Sequence, residues 1–373
     1  MNAIRTGTAI TALLFVSLSV YAAGGNRPDS AIKEVRVKCD QGQTLQAAID
    51  RADRTARPLA INFTGTCTEN LSIGRSRLAI DGAGAGRIVG QVRNFGANIT
   101  LRNLTITGPG VGYIASGGRT RLLDVHFVDN EEQGIAISGN GMVFFRNGSI
   151  TSSGLEGVAV KSGTLEASNV QIAENGSGIQ ATMAQISLEN ADVVRNRGRG
   201  IDASMNSALR LVAGTFNEND GAGLVVDNSS SIYTEGVDVS WNGSSGISVR
   251  FNSAADIVDS TFSHNGQGGG FGSGAFVSTS SSATFRDTAL FSNIVGINSF
   301  RQAFVHLEGA TEVRDNMFDG MRLVQDSGAV VDDPVSIPPN GSGTAVSCDD
   351  TESSLDNRST RVGPTNCTDF NSQ

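Results

Sequence analysis

The chain has 373 residues, with 28 Lys/Arg against 37 Asp/Glu, a formal charge of −9, and 39% hydrophobic and 17% charged residues. That composition is too apolar for a disordered chain, and the acidic excess argues against a nucleic-acid partner, which needs a basic surface. Glycine is abundant at 46 and proline scarce at 7, which excludes collagen and proline-rich linkers.

Residues 1–22 read as a secretory signal peptide. Arg5 supplies the charged end, Ala9 to Val20 the apolar stretch, and Val20-Tyr21-Ala22 the small-residue cleavage site. No later stretch is apolar for long enough to span a bilayer, so a secreted or periplasmic protein is expected. Four cysteines agree with export and pair locally as Cys39 with Cys67 and Cys348 with Cys367. Zinc is the weaker reading, because no C-x-x-C occurs and His126, His264 and His306 lie far from the cysteines.

Residues 23–72 read as an N-terminal cap. They hold the first cysteine pair and a helical pattern, Thr44-Leu45-Gln46-Ala47-Ala48-Ile49-Asp50, suited to plugging the open end of a stack. Residues 73–331 carry an internal repeat. Asn130, Asn175, Asn196, Asn219, Asn242, Asn265, Asn293 and Asn316, with Ser153 in the one gap, are spaced by 23, 22, 21, 23, 23, 23, 28 and 23 residues. Gly-aliphatic pairs from Gly134-Ile135 to Gly320-Met321 keep the same beat. After each glycine the first and third residues are mostly aliphatic, as in Ile201/Ala203, Leu224/Val226 and Ile247/Val249, which is the period of a strand with one buried face. A further inward residue precedes each asparagine by three: Phe127, Ile150, Ile172, Val193, Phe216, Val239, Phe262, Leu290 and Val313.

A unit of this length is too short for β-α-β and suits three short strands per coil. Pro109 is followed by none until Pro334, consistent with interior strands that need every N–H. The expected fold is all-β, a right-handed parallel β-helix of about eleven coils. Residues 332–373 read as a polar tail pinned by the second cysteine pair. The asparagines and glycines are assigned to turns, where both tolerate positive φ, with stacked amides bonding from coil to coil.

These N-x(2–8)-G-aliphatic repeats, with the lead-in TLQAAID, INFTGTCTENLSI and LAIDGAG, resemble the pectate-lyase-like superfamily of parallel β-helices over roughly residues 36–330. The resemblance implies the fold and a carbohydrate polymer as partner. It leaves the activity open among lyases, hydrolases, esterases, epimerases and non-catalytic proteins. The motifs of that superfamily's galacturonan hydrolases (G-H-G), pectate lyases (W-x-D-H), pectin methylesterases (Q-D-T) and alginate epimerases (D-P-H) are absent here. No cofactor motif occurs; calcium stays open as a bound ion, although the glycine-aspartate nonapeptide that binds it is missing.

The outward positions after each glycine carry the chemistry. Asp202, Asp227 and Arg250 are expected on one external face, with Lys161 a few coils away and Phe276 and Phe300 flanking. Carboxylates, a guanidinium and aromatic platforms suit an extended sugar chain. Two carboxylates one coil and two residues apart would lie roughly 7–8 Å apart, a separation open to inverting hydrolysis. Arg250 beside Asp227 instead favours a plain ion pair. Trp241 and His264 occupy equivalent positions in adjacent coils, with Glu218 preceding, and offer a second sugar-stacking platform. The one long repeat, after Asn265, places Phe271 in a glycine-rich loop expected to fold over the Arg250 face. The function expected is engagement of extracellular or cell-envelope polysaccharide by a monomer, with catalysis left open and, if present, that of a lyase or hydrolase; the alternative is a non-catalytic adhesion or structural protein.

Overall fold

The computed structural model describes residues 32–52, 57–266, 268, 272–341 and 343–369, all within the unit Ile32–Gln373. The signal-peptide reading and Phe271 lie outside the described residues.

Parallel strands stack coil upon coil. Thirteen form one sheet, from Leu71–Ile73 through Ile201–Ser204, Leu224–Val226 and Ile247–Arg250 to Val346–Cys348. Twenty-two form the other. In that sheet long strands such as Arg119–Asn130 bend and pair with two separate strands of the next coil, Met142–Arg146 and Ser149–Thr151, so each coil presents three faces. The inward column is aliphatic throughout. Ile135, Val158, Ile179, Ile201, Leu224, Ile247, Ala275, Ile297 and Met321 pair in sequence and are fully buried. The residues three before each asparagine are buried as completely.

Thirteen strands exceed the eleven or so coils read from the repeat. The extra coils come from both ends. Lys33–Lys38, Leu59–Thr64 and Leu78–Val89 pair in register within and beyond the segment read as a cap. In the segment read as a tail, Val346–Cys348 pairs with Met321–Val324 and Ser354–Asn357 with Gly328–Val331. Prolines and uneven loops there hide the asparagine-glycine beat that marks the central coils. The disulfides Cys39–Cys67 and Cys348–Cys367 clip these two end regions. The helix spans Leu45–Ala52 and buries Leu45, Ala48, Ile49 and Ala52. Its first amides are bonded by the Glu69 carboxylate, which accepts from Leu45 N (2.7 Å) and Gln46 N (3.0 Å).

The asparagine column is a continuous buried amide ladder. Asn175 donates from both its backbone N (3.0 Å) and Nδ2 (3.1 Å) to Asn196 Oδ1, and Nδ2 also donates to Ile150 O at 3.2 Å. The same triplet recurs from Asn196, Asn219, Asn242, Asn265, Asn293 and Asn316, each bonding to the next asparagine, and ends on Asn340. The turn chemistry differs from expectation. None of the ladder asparagines has positive φ; the residue before each one up to Asn316 does, including Glu174 (61°), Arg195 (53°), Glu218 (57°), Trp241 (58°) and His264 (55°), whereas Pro339 before Asn340 does not. The glycines that open the next strand are likewise not left-handed. They are required for space: a Cβ on Gly178 would meet Gly200 O at 2.2 Å and Val193 Cγ1 at 2.4 Å.

The ladder fails at one rung. Ser153 is too short to accept from Asn130, and Ser153 Oγ, Asn130 Oδ1 and Asn130 Nδ2 are all buried without partners. Gly134 leaves the same room beside Ser153 that Gly157 leaves beside Asn175. Ser153→Asn is therefore expected to raise the melting temperature, because one side-chain oxygen would satisfy both donors of Asn130. In contrast, Asn219→Ala orphans the backbone and side-chain N–H groups of Asn196 and should destabilise by about 3 kcal/mol or more, at about 1–3 kcal/mol per unsatisfied buried group. Thermal and urea unfolding monitored by circular dichroism checks both; a lowered melting temperature for Ser153→Asn would contradict the ladder argument.

Core phase gives a second test. Leu224 faces inward and is fully buried, whereas Val225 faces outward between Asp202 and Ser248, although groove walls leave it only 3% exposed. Leu224→Ala should lose about 2–5 kcal/mol in urea unfolding, and Val225→Ala less than half of that. Equal losses would mean that the two faces are exchanged.

Candidate functional site

The outward row of the thirteen-stranded sheet runs Gln180, Asp202, Val225, Ser248, Phe276, Asn298 and Arg322, one residue per coil. Stacked strands lie about 4.8 Å apart, so the row is a regular track along the solenoid. Val225 and Ser248 form its low centre. The turns that precede the strands, through Gly221, Ala222, Ser244 and Ser245, rise on one side, and Arg199, Arg250 and Phe276 close a groove of about 430 Å³.

Neither sequence-predicted carboxylate lines this groove, but each is bonded to an arginine that does. Asp227 Oδ2 accepts from Arg250 Nη2 at 2.7 Å, with side chains only 14% and 28% exposed. Asp202 Oδ2 accepts from Arg199 Nη1 at 2.5 Å. Arg199 was not singled out from sequence, yet it sits three residues before Asp202 in the same coil, an offset that could have marked it. The central pair is not saturated. Asp227 Oδ1 and Arg250 Nε are buried with no protein partner, and so is Oδ1 of Asn298, the residue paired with Phe276. Of these three residues only Arg250 lines the groove itself. Neither carboxylate is the isolated acid in an apolar pocket that glycoside hydrolysis requires.

The remaining expected residues are spread along the solenoid. Lys161 is exposed and pairs with Thr182, which pairs with Ser204, so it stands coils away from Arg250. Phe300 pairs with Ser278, next to Arg250, and carries the Arg301 guanidinium over its ring at 4.8 Å.

Trp241 and His264 do come together, with ring centroids 4.2 Å apart and planes 12° from parallel. The stack continues to Phe291, edge-on to His264 at 6.0 Å, and to Arg314, over Phe291 at 4.7 Å. Phe291 and Arg314 each fall two residues before a ladder asparagine, a shared offset that the sequence reading passed over. Glu218 is held apart from the rings' chemistry by Arg195, which reaches both it (3.9 Å) and Glu174 (3.8 Å). Trp241 is 52% exposed, so this ledge is open, but it does not line the groove.

His306, set aside in sequence as far from any cysteine, lies 2.9 Å from Asp332 Oδ2 with Glu308 alongside. Parallel stacking joins residues that sequence spacing keeps apart. Glu308 already binds Arg286 and Asp332 binds Arg358, so the cluster is a charge network whose carboxylates are taken. His126 bonds Ser149 Oγ at 2.9 Å.

Among solved structures, the chain is similar to two A-modules of mannuronan C-5 epimerases from Azotobacter vinelandii. The AlgE6 module aligns at 15% identity over 85% of this chain and 94% of that one, with a TM-score of 0.60. The AlgE4 module aligns at 15% identity over 87% and 93%, with a TM-score of 0.55. At that identity the likeness is one of fold. No curated protein matches the sequence. The family model for the right handed beta helix region matches residues 91–224, 156–318 and 204–357 in overlapping registers, as a tandem repeat should. Together with the stacked parallel coils and the amide ladder, this places the chain in the right-handed β-helix family.

Proposed function

We propose that the chain binds an extended polysaccharide along the outward row of the thirteen-stranded sheet, centred on the groove over Val225 and Ser248. The observation that carries the reading is the unfilled polar capacity at its centre. Asp227 Oδ1 and Arg250 Nε, in consecutive coils, are buried without partners among the described residues, as is Asn298 Oδ1 in the adjoining row two coils beyond Arg250. A buried polar group left unpaired is destabilising by about 1–3 kcal/mol, so such a group persists where something else completes it. Sugar hydroxyls, which donate and accept, match this mixture of acceptors and a donor. Phe276 supplies an apolar face for a pyranose ring.

The similar solved structures support the same reading, since both are modules of epimerases of mannuronan, a polysaccharide. Two disulfides suit an oxidising, extracytoplasmic setting. No helix among the described residues is long and apolar enough to cross a membrane. The ion pairing of Asp202 and Asp227 favours binding over hydrolysis, because both carboxylates are committed to arginines.

Calorimetric titration with polymannuronate, polygalacturonate and a neutral β-glucan tests the proposal. Arg250→Ala and Phe276→Ala are each expected to weaken binding at least tenfold, while Trp241→Ala leaves it unchanged. If Trp241→Ala alone abolishes binding, the aromatic ledge of Trp241, His264 and Phe291 is the glycan site. The same incubations, with and without Ca²⁺, are read for reducing ends and for absorbance of unsaturated products; turnover would replace binding with lyase or hydrolase activity.

A further inference from the structure

Charge is distributed unevenly along this acidic chain. Residues 32–121 hold 13 Lys/Arg against 6 Asp/Glu, while residues 122–373 hold 13 against 30. Sequence order becomes axial position in a solenoid, so the first coils form a basic end on an otherwise acidic molecule. A cavity of about 660 Å³ lies there, on the twenty-two-stranded sheet rather than on the sheet that carries the groove.

Its floor is the outward row Ala60, Ala79 and Thr100, three successive coils with small side chains. Four arginines rise around it. Arg77 and Arg119 stand one residue before the paired positions Leu78, Ile99 and Thr120, two coils apart. Arg121 continues the floor row after Thr100, and Arg102 lies in the coil between. All four are exposed. Arg102 is paired with Asp81 at 2.7 Å, and Arg119 lies over the Phe144 ring at 4.8 Å. Arg77 and Arg121 have no carboxylate partner among the described residues. Glu34 is the one acidic side chain in the lining.

We propose that this cleft is a second binding site, for a strand of anionic polysaccharide carrying carboxylates, as in a polyuronate. A guanidinium is planar and pairs with a carboxylate through two parallel hydrogen bonds, a geometry that lysine lacks. The uncommitted cations Arg77 and Arg121 stand two coils apart, roughly 9–10 Å at about 4.8 Å per coil, comparable to two pyranose units, so alternate carboxylates of a chain can meet them. The floor of alanines and a threonine admits the flat face of a sugar without a steric barrier. Nucleic acid fits less well, because the one aromatic ring beside the cleft, Phe144, is already covered by Arg119.

The site is independent of the groove, and its test is run with the groove disabled. In the Arg250→Ala/Phe276→Ala background, binding of an oligogalacturonate is measured beside the same oligomer with its carboxyls reduced and beside a single-stranded DNA of equal charge. The oligogalacturonate is expected to bind, to weaken as salt rises, and to lose at least tenfold in affinity on adding Arg77→Ala/Arg121→Ala. That pair is expected to leave the melting temperature unchanged, since neither side chain has a carboxylate partner to lose among the described residues. Arg77→Lys/Arg121→Lys should restore only part of the affinity. Undiminished binding in the double alanine variant overturns the proposal. Equal affinity for the carboxyl-reduced oligomer overturns its electrostatic basis, and tighter binding of the DNA replaces the glycan with a nucleic acid.

Discussion

The amide ladder from Ser153 to Asn340 is the constraint around which the central coils are arranged. Each rung buries an N–H, a carboxamide and a strand carbonyl where water cannot reach, and each is satisfied only by the asparagine of the next coil. An isolated coil would leave all of them orphaned. Stacking in register is therefore enforced twice, by the strand ladders and by the amides. The corner geometry follows: up to Asn316 the residue before each asparagine turns left-handed to aim the amide inward, and the glycine after it clears space for the next coil's carbonyl. Fixing the corner fixes the phase of the strand that follows, and so decides which side chains form the outward rows.

This explains what could be read in the sequence. An asparagine and a glycine at a constant interval are the imprint of the ladder, and the fold and the inward columns come from them directly. The left-handed position leaves no such imprint. It is filled by Asp129, Ser152, Glu174, Arg195, Trp241 and His264, residues with no composition in common, because the strain there is offset by neighbouring coils rather than by the residue's own preference. The first coils were hidden for a related reason. Their buried polar anchor is Asn94, which bonds Ala97 O (2.9 Å) and Thr120 Oγ1 (3.0 Å) instead of a stacked asparagine, so the beat begins later than the fold does.

Site chemistry was legible in part. Asp227 and Arg250 could be paired on paper because they occupy nearly equivalent positions in consecutive repeats. Arg199 and Phe291 were passed over although fixed offsets from Asp202 and Asn293 could have marked them, whereas Asn298 gains meaning only from neighbouring coils. His306 and Asp332 make the same point: nothing local relates them, and parallel stacking sets them 2.9 Å apart. In a solenoid the useful sequence distance is the repeat length, and residues out of phase with it are hard to place.

The long repeat shows how far surface and core are separated. Its extra residues fall between Asn265 and Gly274, yet Asn265 still donates to Asn293 Oδ1 at 3.0 Å from both its backbone N and its Nδ2, and Ala275 still pairs with Ile247. Loop closure entropy rises slowly with length, so a turn can grow while the ladder beneath it is unchanged. The outward rows have the same freedom, because their side chains take no part in the amide bonds. A coil can therefore exchange Ser248 for Phe276 or Asn298 at one position without altering the stack. One rigid frame can thus carry an arginine-carboxylate groove on one sheet and an arginine cleft on another. The fold fixes the intervals at which ligand groups are met, and the outward residues fix their chemistry.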